Sequence, residues 1–410
     1  MTQSGKACLV GHSDIDFLCG TSLFHAEIAN VFADRGLSCH YISPAKVDNY
    51  RFDARDLCLS LKRIFGSTRL SQKRSFSQNS ANIRIPFFRK KFRSLLIGNC
   101  SNVDFFFRTG TLEQRKELLD LDFIYTSLGN ISSLQIVRKL IAMNPRAQLI
   151  IHFYDDWIGT TNTSGFLGYT HGWLIQKIIG DLAKRAHRIV AISPRLAHLL
   201  ELRFARNVDI LFRWPTKELL EFANQRKNKR SGSRPVTITY VGSVSAHSQH
   251  RTIMKFLQAL GQSNESDIQM DIYTDPRLFF KNSHFRCFSP PVNNFMYFSI
   301  LAQTDWVLIP APTEPKYNYI SSSIPAKIWH CIFLATRILY VGSFHTEQAE
   351  LLRSFGARRV NQIDEHSVKA LLDYDLKDQK PSVQQVRQRL TRIAALQQSK
   401  LIKLLDVEHD

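Results

Sequence analysis

The chain has no Cys-x-x-Cys pair. Its seven cysteines, Cys8, Cys19, Cys39, Cys58, Cys100, Cys287 and Cys331, are scattered and odd in number. That argues against a disulfide framework or a thiolate zinc module and points to a reducing interior. No uninterrupted apolar run approaches the roughly 20 residues that a membrane-crossing helix needs. Ala7-Cys8-Leu9-Val10 is too short for a signal peptide and runs into the polar Gly11-His12-Ser13-Asp14. The expectation is a soluble cytoplasmic protein, or one held peripherally at the inner face of the cell membrane. Acidic residues are scarce: 35 Asp and Glu face 54 Lys and Arg, a net charge of +19. Such an excess favours nucleic acid, acidic lipid or phosphorylated substrates.

What is present is apolar and periodic. With 410 residues, 44% of them hydrophobic and 28 of them Phe, the chain is too long for one compact core and too apolar for disorder. Ala7 to Val10 reads as a strand, Leu23 to Arg35 as a helix closed by Gly36, and Cys39 to Ser43 as a second strand. Such a βαβ opening predicts a parallel sheet. Strands are expected at Phe123–Thr126, Gln148–Phe153, Arg188–Ile192 and Val208–Phe212, with helices from Leu134, Gly172 and Ser193-Pro194. The polar stretch 217–234 reads as an interdomain linker. The alternation then restarts, with strands at Val236–Val241, Ile268–Tyr273, Phe285–Phe288, Trp306–Ile309 and Ile338–Val341, and a helix at Arg251–Leu260. No repeat of fixed period accompanies this restart. The expected domains are 1–216 and 235–383, both Rossmann-like, followed by a helix within 384–410.

One segment breaks the pattern. Between Arg51 and Arg93 lie twelve Lys and Arg residues, opposed by Asp53 and Asp56 alone. It ends in Ile83-Arg84-Ile85-Pro86-Phe87-Phe88-Arg89-Lys90-Lys91-Phe92. Basic residues interleaved with aromatics suit an anionic membrane surface or single-stranded nucleic acid. They equally suit a solvated loop with a few anchoring rings. Nucleic acid ranks last, because the chain carries no recognised nucleic-acid motif.

The richest stretch runs from Thr304 to Val341. An apolar strand ends in a Pro-rich loop, passes Ser321, Ser322 and Ser323, and enters Ile324-Pro325-Ala326-Lys327, which reads as a helix start. Proline suits a first helical position, and serines suit N-caps. Free N–H groups, the positive end of the helix dipole and the Lys327 ammonium would converge on one spot, a place to hold a diphosphate. An ordinary αβ connection reads the same way. Elsewhere, His152 at a strand end is a candidate proton acceptor or a buried structural histidine, and Asp155 beside it a candidate site acid or a loop acid.

Four short motifs, in order, resemble the GT-B glycosyltransferases, in particular their family 4 group. Tyr240-Val241-Gly242-Ser243 resembles the "YVGS" that opens the second domain. Pro325-x-Lys327-x-x-His330 resembles the "P-x-K-x-x-E" helix. Tyr154-Asp155-Asp156-Trp157 resembles "Y-D-D-W", and Ala191-Ile192-Ser193 the "I-S" before the next helix. The resemblance implies an α/β fold of two doubly wound Rossmann-like domains facing each other across a cleft. It implies a nucleotide-sugar as substrate, no cofactor, no metal, and a glycan or lipid-linked acceptor in surface polysaccharide synthesis, with retention of configuration. Carried over, Gly242, Ser243, Arg251, Ser322, Ser323, Pro325, Lys327 and His330 would hold the donor. His152, Asp155 and Lys327 would serve catalysis, and His12 and Gly20 would lie on the acceptor side. The family usually has a glutamate where this chain has His330, and Arg251 is the only fixed cation in the loop after Gly242. A non-catalytic module of a glycan-assembly complex, or an epimerase of similar architecture, therefore stays open.

Overall fold

A computed structural model describes residues 5–11, 20–42, 118–128, 131–156, 166–215, 219, 221–222, 236–242, 249–262, 268–274, 285–291, 293–311, 324–334, 337–342, 346–354, 358–360 and 383–405. The basic segment 51–93, His12, Ser243, the serines 321–323 and most of the 217–234 stretch lie outside these residues.

The first half runs β1 (Lys6–Val10), α1 (Gly20–Asp34), β2 (Ser38–Ile42), β3 (Phe123–Thr126), α2 (Ile131–Met143), β4 (Gln148–Phe153), α3 (Phe166–Arg185), β5 (Arg188–Ala191), α4 (Pro194–Phe204) and β6 (Asp209–Ile210). The second runs β7 (Val236–Val241), α5 (Gln249–Gln262), β8 (Ile268–Tyr273), β9 (Phe285–Phe288), α6 (Asn294–Gln303), β10 (Trp306–Pro310), α7 (Ala326–Phe333), β11 (Arg337–Val341), α8 (Glu347–Ser354), β12 (Arg358–Val360) and α9 (Val383–Leu405).

The strands form two six-stranded sheets, ordered β2-β1-β3-β4-β5-β6 and β12-β11-β10-β7-β8-β9. β1 pairs in parallel with β2 and β3, and β7 in parallel with β8 and β10. Strand order therefore reverses beside β1 in one sheet and beside β7 in the other. In an open α/β sheet a ligand settles at such a switch point, beyond the carboxyl ends of the strands.

The chain forms two compact units. One comprises Met1–Phe17, Ile28–His152 and Trp157–Ile189, the other Leu18–Glu27, Phe153–Asp156 and Val190–Asp410. In the second unit both faces of the sheet are covered, and the central strands β10 (WVLIP) and β11 (RILYV) read as near-continuous apolar runs, while β7, β8 and β9 interleave polar residues. Val307 and Ile309 pack with Ile328, Trp329 and Ile332 of α7 on one face. Trp306 and Leu308 pack with Ile253, Phe256 and Leu260 of α5 on the other. In the first unit Leu134, Val137 and Leu140 of α2 are fully buried, as are Ile124 and Ile150 of the strands.

Local chemistry sets the element ends. Ser193 caps α4: its backbone is extended and its Oγ accepts from the Leu196 N–H at 3.2 Å, while Pro194 takes the first turn. Gly36 follows α1 in the left-handed region at φ 74°, which a glycine enters without penalty.

Several expected bounds shift. α1 begins at Gly20 rather than Leu23, α3 at Phe166 rather than Gly172, and α5 at Gln249 rather than Arg251. β6 is only Asp209–Ile210, shorter than the expected Val208–Phe212. The reason is tertiary: Leu211 still donates to the Ala191 carbonyl, but the Phe212 N–H turns to Gln397 Oε1 of α9 at 3.0 Å. At α7 the expected arrangement also changes. Pro325, expected at the first helical position, is instead the N-cap, with ψ 140°, and the helix starts at Ala326.

Candidate functional site

The site is built at the switch point of the second sheet. β7 ends at Val241, and Gly242 follows with φ 141°, a conformation that disfavours any side chain. Its N–H donates to the Tyr273 carbonyl at 3.1 Å, which holds the turn against β8. A Cβ placed on Gly242 would lie 3.3 Å from Lys327 Nζ and 3.6 Å from the Tyr240 hydroxyl. Lys327, in the first turn of α7, sets its ammonium 4.3 Å from the centroid of the Tyr240 ring. That contact is a cation–π interaction. Tyr240 is fully buried, and its hydroxyl donates to Gln249 Oε1 at 3.0 Å, at the start of α5. The structure thus brings Gly242 and Lys327 together, 85 positions apart in sequence, and fixes both through Tyr240.

A feature not expected from sequence completes this edge. The tetrapeptide Tyr-Val-Gly-Ser occurs a second time, at 340–343, and its first two residues close β11. Gly342 has φ 158°, and a Cβ there would approach the Ala311 Cβ to 2.5 Å. Ala311 follows β10, which lies between β7 and β11. The small residues Gly242, Ala311 and Gly342 therefore stand side by side at the strand ends, where bulk would close off the backbone. The duplicated tetrapeptide was the sequence signal for Gly342.

His330, one turn beyond Lys327, is 7% exposed. Its Nδ1 is 3.1 Å from the Tyr297 hydroxyl, and the ring stands edge-on to Tyr297 and Phe298. Burial, with the Arg213 cation adding to it, pushes its pKa down to about 3. The imidazole is therefore neutral near pH 7 and can exchange only neutral hydrogen bonds. Burial also raises the Tyr297 phenol well above its ordinary range, so it stays protonated. Arg213 was missed from sequence, where one arginine among 54 basic residues carries no signal. Its guanidinium stands 4.8 Å from the centroid of Tyr154 and 5.8 Å from that of Phe24.

The remaining candidates lie elsewhere. Arg251 is an exposed residue in the first turn of α5. Gly20 opens α1 rather than a preceding loop. His152 is fully buried in the first unit and is hydrogen-bonded through Nδ1 to the Tyr125 hydroxyl. Asp155 is exposed, and Asp156 next to it pairs with Arg203 at 2.7 Å. Among the described residues no cluster of three His, Cys, Asp or Glu could hold a metal ion. Nor is any helix among them long and apolar enough to cross a membrane.

No protein-family model matches the chain, and no curated protein matches it. Solved structures do. The glycotransferase of kitacinnamycin is 12% identical, covers 99% of this chain and 100% of its own, and superposes with a TM-score of 0.52. An α-glucosyltransferase in complex with UDP and a 13-mer DNA containing a HMU base is 10% identical over 98% of this chain and 100% of its own, with a TM-score of 0.54. A putative UDP-N-acetylglucosamine 2-epimerase from Listeria monocytogenes is 8% identical over 98% of this chain and 95% of its own, with a TM-score of 0.52. Identities this low speak to architecture and leave the reaction to the site. With its two parallel sheets and flanking helices, the chain has the GT-B fold of the glycosyltransferases.

Proposed function

We propose that the protein is a glycosyltransferase that moves a sugar from a nucleoside-diphosphate donor to a hydroxyl acceptor. One observation carries this reading: Lys327 Nζ sits 3.3 Å from the position a Cβ on Gly242 would take, at the switch point of the second sheet. Breaking the bond between sugar and diphosphate places negative charge on the leaving phosphoryl oxygen. A fixed ammonium and backbone N–H groups stabilise that charge in the transition state more than in the ground state. Lys327 supplies the ammonium, Gly242 lets the diphosphate approach the backbone, and the positive end of the α7 dipole points the same way. An α-glucosyltransferase of similar fold was solved with UDP-glucose, which supports a nucleotide-sugar as the donor here.

The finer reading rests on the resemblance of the sequence motifs, on the charge of the segment 51–93 and on the burial of His152. Ser243, Ser322, Ser323, Pro325 and Arg251 complete the donor site, and His330 makes a neutral hydrogen bond to a donor hydroxyl or to its own support Tyr297. Asp155, exposed at the end of β4, serves the acceptor side with His12 and Gly20. His152 acts from within the core, by holding Tyr125, rather than by touching substrate. The acceptor is a glycan or a lipid-linked glycan in surface polysaccharide synthesis, transfer retains configuration, and the segment 51–93 attaches the protein to an anionic membrane.

Calorimetry with a panel of UDP-, GDP- and dTDP-sugars tests the donor site directly. Binding of one of them that is lost in Lys327→Met supports the reading, and no heat with any donor overturns it. The buried, neutral His330 favours one alternative, a donor-binding module without turnover. Product analysis separates the readings: transfer to an acceptor, epimerised donor, or donor bound and unchanged.

A further inference from the structure

On the first unit, a groove of about 550 Å³ runs between α2 and α3. Its apolar floor is Ile141, Ile178 and Leu182. Among the described residues its walls carry Arg138, Lys177 and Arg185, all exposed, against one acid, Asp181. Helical spacing produces this arrangement. Arg138 and Ile141 are three residues apart on α2, while Lys177 and Asp181, and likewise Ile178 and Leu182, are four apart on α3, so each set shares a face. The imbalance extends past the groove: residues 131–146 and 166–188 add Lys139, Arg146, Lys184 and Arg188, with no further acid.

We propose that this groove docks the protein on a bilayer surface rich in anionic phospholipid. The three cations face headgroup phosphates, and the half-buried Ile178, set over the buried Ile141 and Leu182, meets the apolar region just beneath them. An amphipathic surface with basic walls and an aliphatic floor matches that boundary. Single-stranded nucleic acid fits less well, because bases need aromatic platforms to stack on and none of the described residues lining the groove is aromatic. The site is independent of sugar transfer and distinct from the basic segment 51–93.

The test uses the full chain and sedimentation with vesicles of phosphatidylglycerol and phosphatidylcholine, or of phosphatidylcholine alone, at about 0.15 M salt. The variant Arg138→Gln/Lys177→Gln/Arg185→Gln is compared with Lys255→Gln/Arg353→Gln/Lys403→Gln, three exposed residues of the second unit with the same change in net charge. Expected is a partition to anionic vesicles that falls on the order of 100-fold in the groove variant and much less in the other. The single change Lys177→Gln should cost about fivefold. Equal losses in both triple variants, an unchanged groove variant, or no binding of the wild type to anionic vesicles overturns the proposal. Loss of single-stranded RNA binding with vesicle binding intact also overturns it and reassigns the groove. Donor calorimetry on the same proteins should be unchanged, so failure here is separable from failure of the sugar-transfer reading.

Discussion

Lys327 has two neighbours that define its role: the face of Tyr240 beneath its ammonium and the bare backbone of Gly242 beside it. Its ammonium is thus aimed before any ligand arrives, and preorganised charge is what a leaving diphosphate needs. Lys327→Met keeps the aliphatic stem and removes the charge. We expect kcat/KM to fall about 100- to 1,000-fold with little change in unfolding midpoint, read by steady-state kinetics and thermal denaturation. Gly242→Ala should do both kinds of damage. The φ of 141° costs an L-residue about 1–3 kcal/mol of stability, and the methyl crowds the ammonium, so donor affinity drops as well. His330 makes a pH prediction. Its pKa is about 3 in the folded protein against 6.5 ordinarily. Between those values the unfolded chain binds a proton that the folded chain refuses. Stability is therefore unaffected by His330 above about pH 6.5 and is lost as pH falls towards 3, with a limiting slope of about 1.4 kcal/mol per pH unit. Denaturant unfolding of His330→Asn across that window should show a shallower acid loss than the wild type.

At the scale of elements, the end of β6 shows how a distant helix edits a local pattern. Val208 to Phe212 is apolar enough for a longer strand, yet Gln397 of α9, 2% exposed, captures the Phe212 N–H. Leu401 on the same helix is fully buried. Leu401→Ala should destabilise the protein by about 2–5 kcal/mol, seen as a lower chemical denaturation midpoint. Helix starts obey the same logic. Ser193 sits at the cap of α4 beside Pro194, a pair that is a local signal, whereas Pro325 lies one position earlier at α7 than its fixed φ suggests, at the cap rather than in the first turn.

For the molecule as a whole, the decisive geometry is the order of strands. β7 lies between β8 and β10, so Gly242 meets the helix that follows β10 rather than the one that follows β7 alone. A donor that binds only the folded protein must stabilise it by mass action, by about 2.7 kcal/mol at a hundredfold excess over its Kd. The expected result is a rise in unfolding midpoint with the correct nucleotide-sugar, absent in Lys327→Met. A matched donor that leaves the midpoint unmoved at saturating concentration would count against the site.

The alternation of apolar runs with helical spacing was enough to name most strands, because the central runs, such as β1, β3, β4, β10 and β11, are buried along nearly their whole length. Gly242 and the Pro325–Lys327 turn were also legible, since a strand-ending glycine and a helix-opening lysine are local signals. What those residues do to one another was not. The 3.3 Å approach of Lys327 to Gly242, the burial that leaves His330 neutral, the place of Arg213 against Tyr154, and the basic groove between α2 and α3 all depend on contacts between distant parts of the chain. Local sequence carries dihedral preference and hydrophobic period; distance and desolvation arise only when the sheet has chosen its strand order.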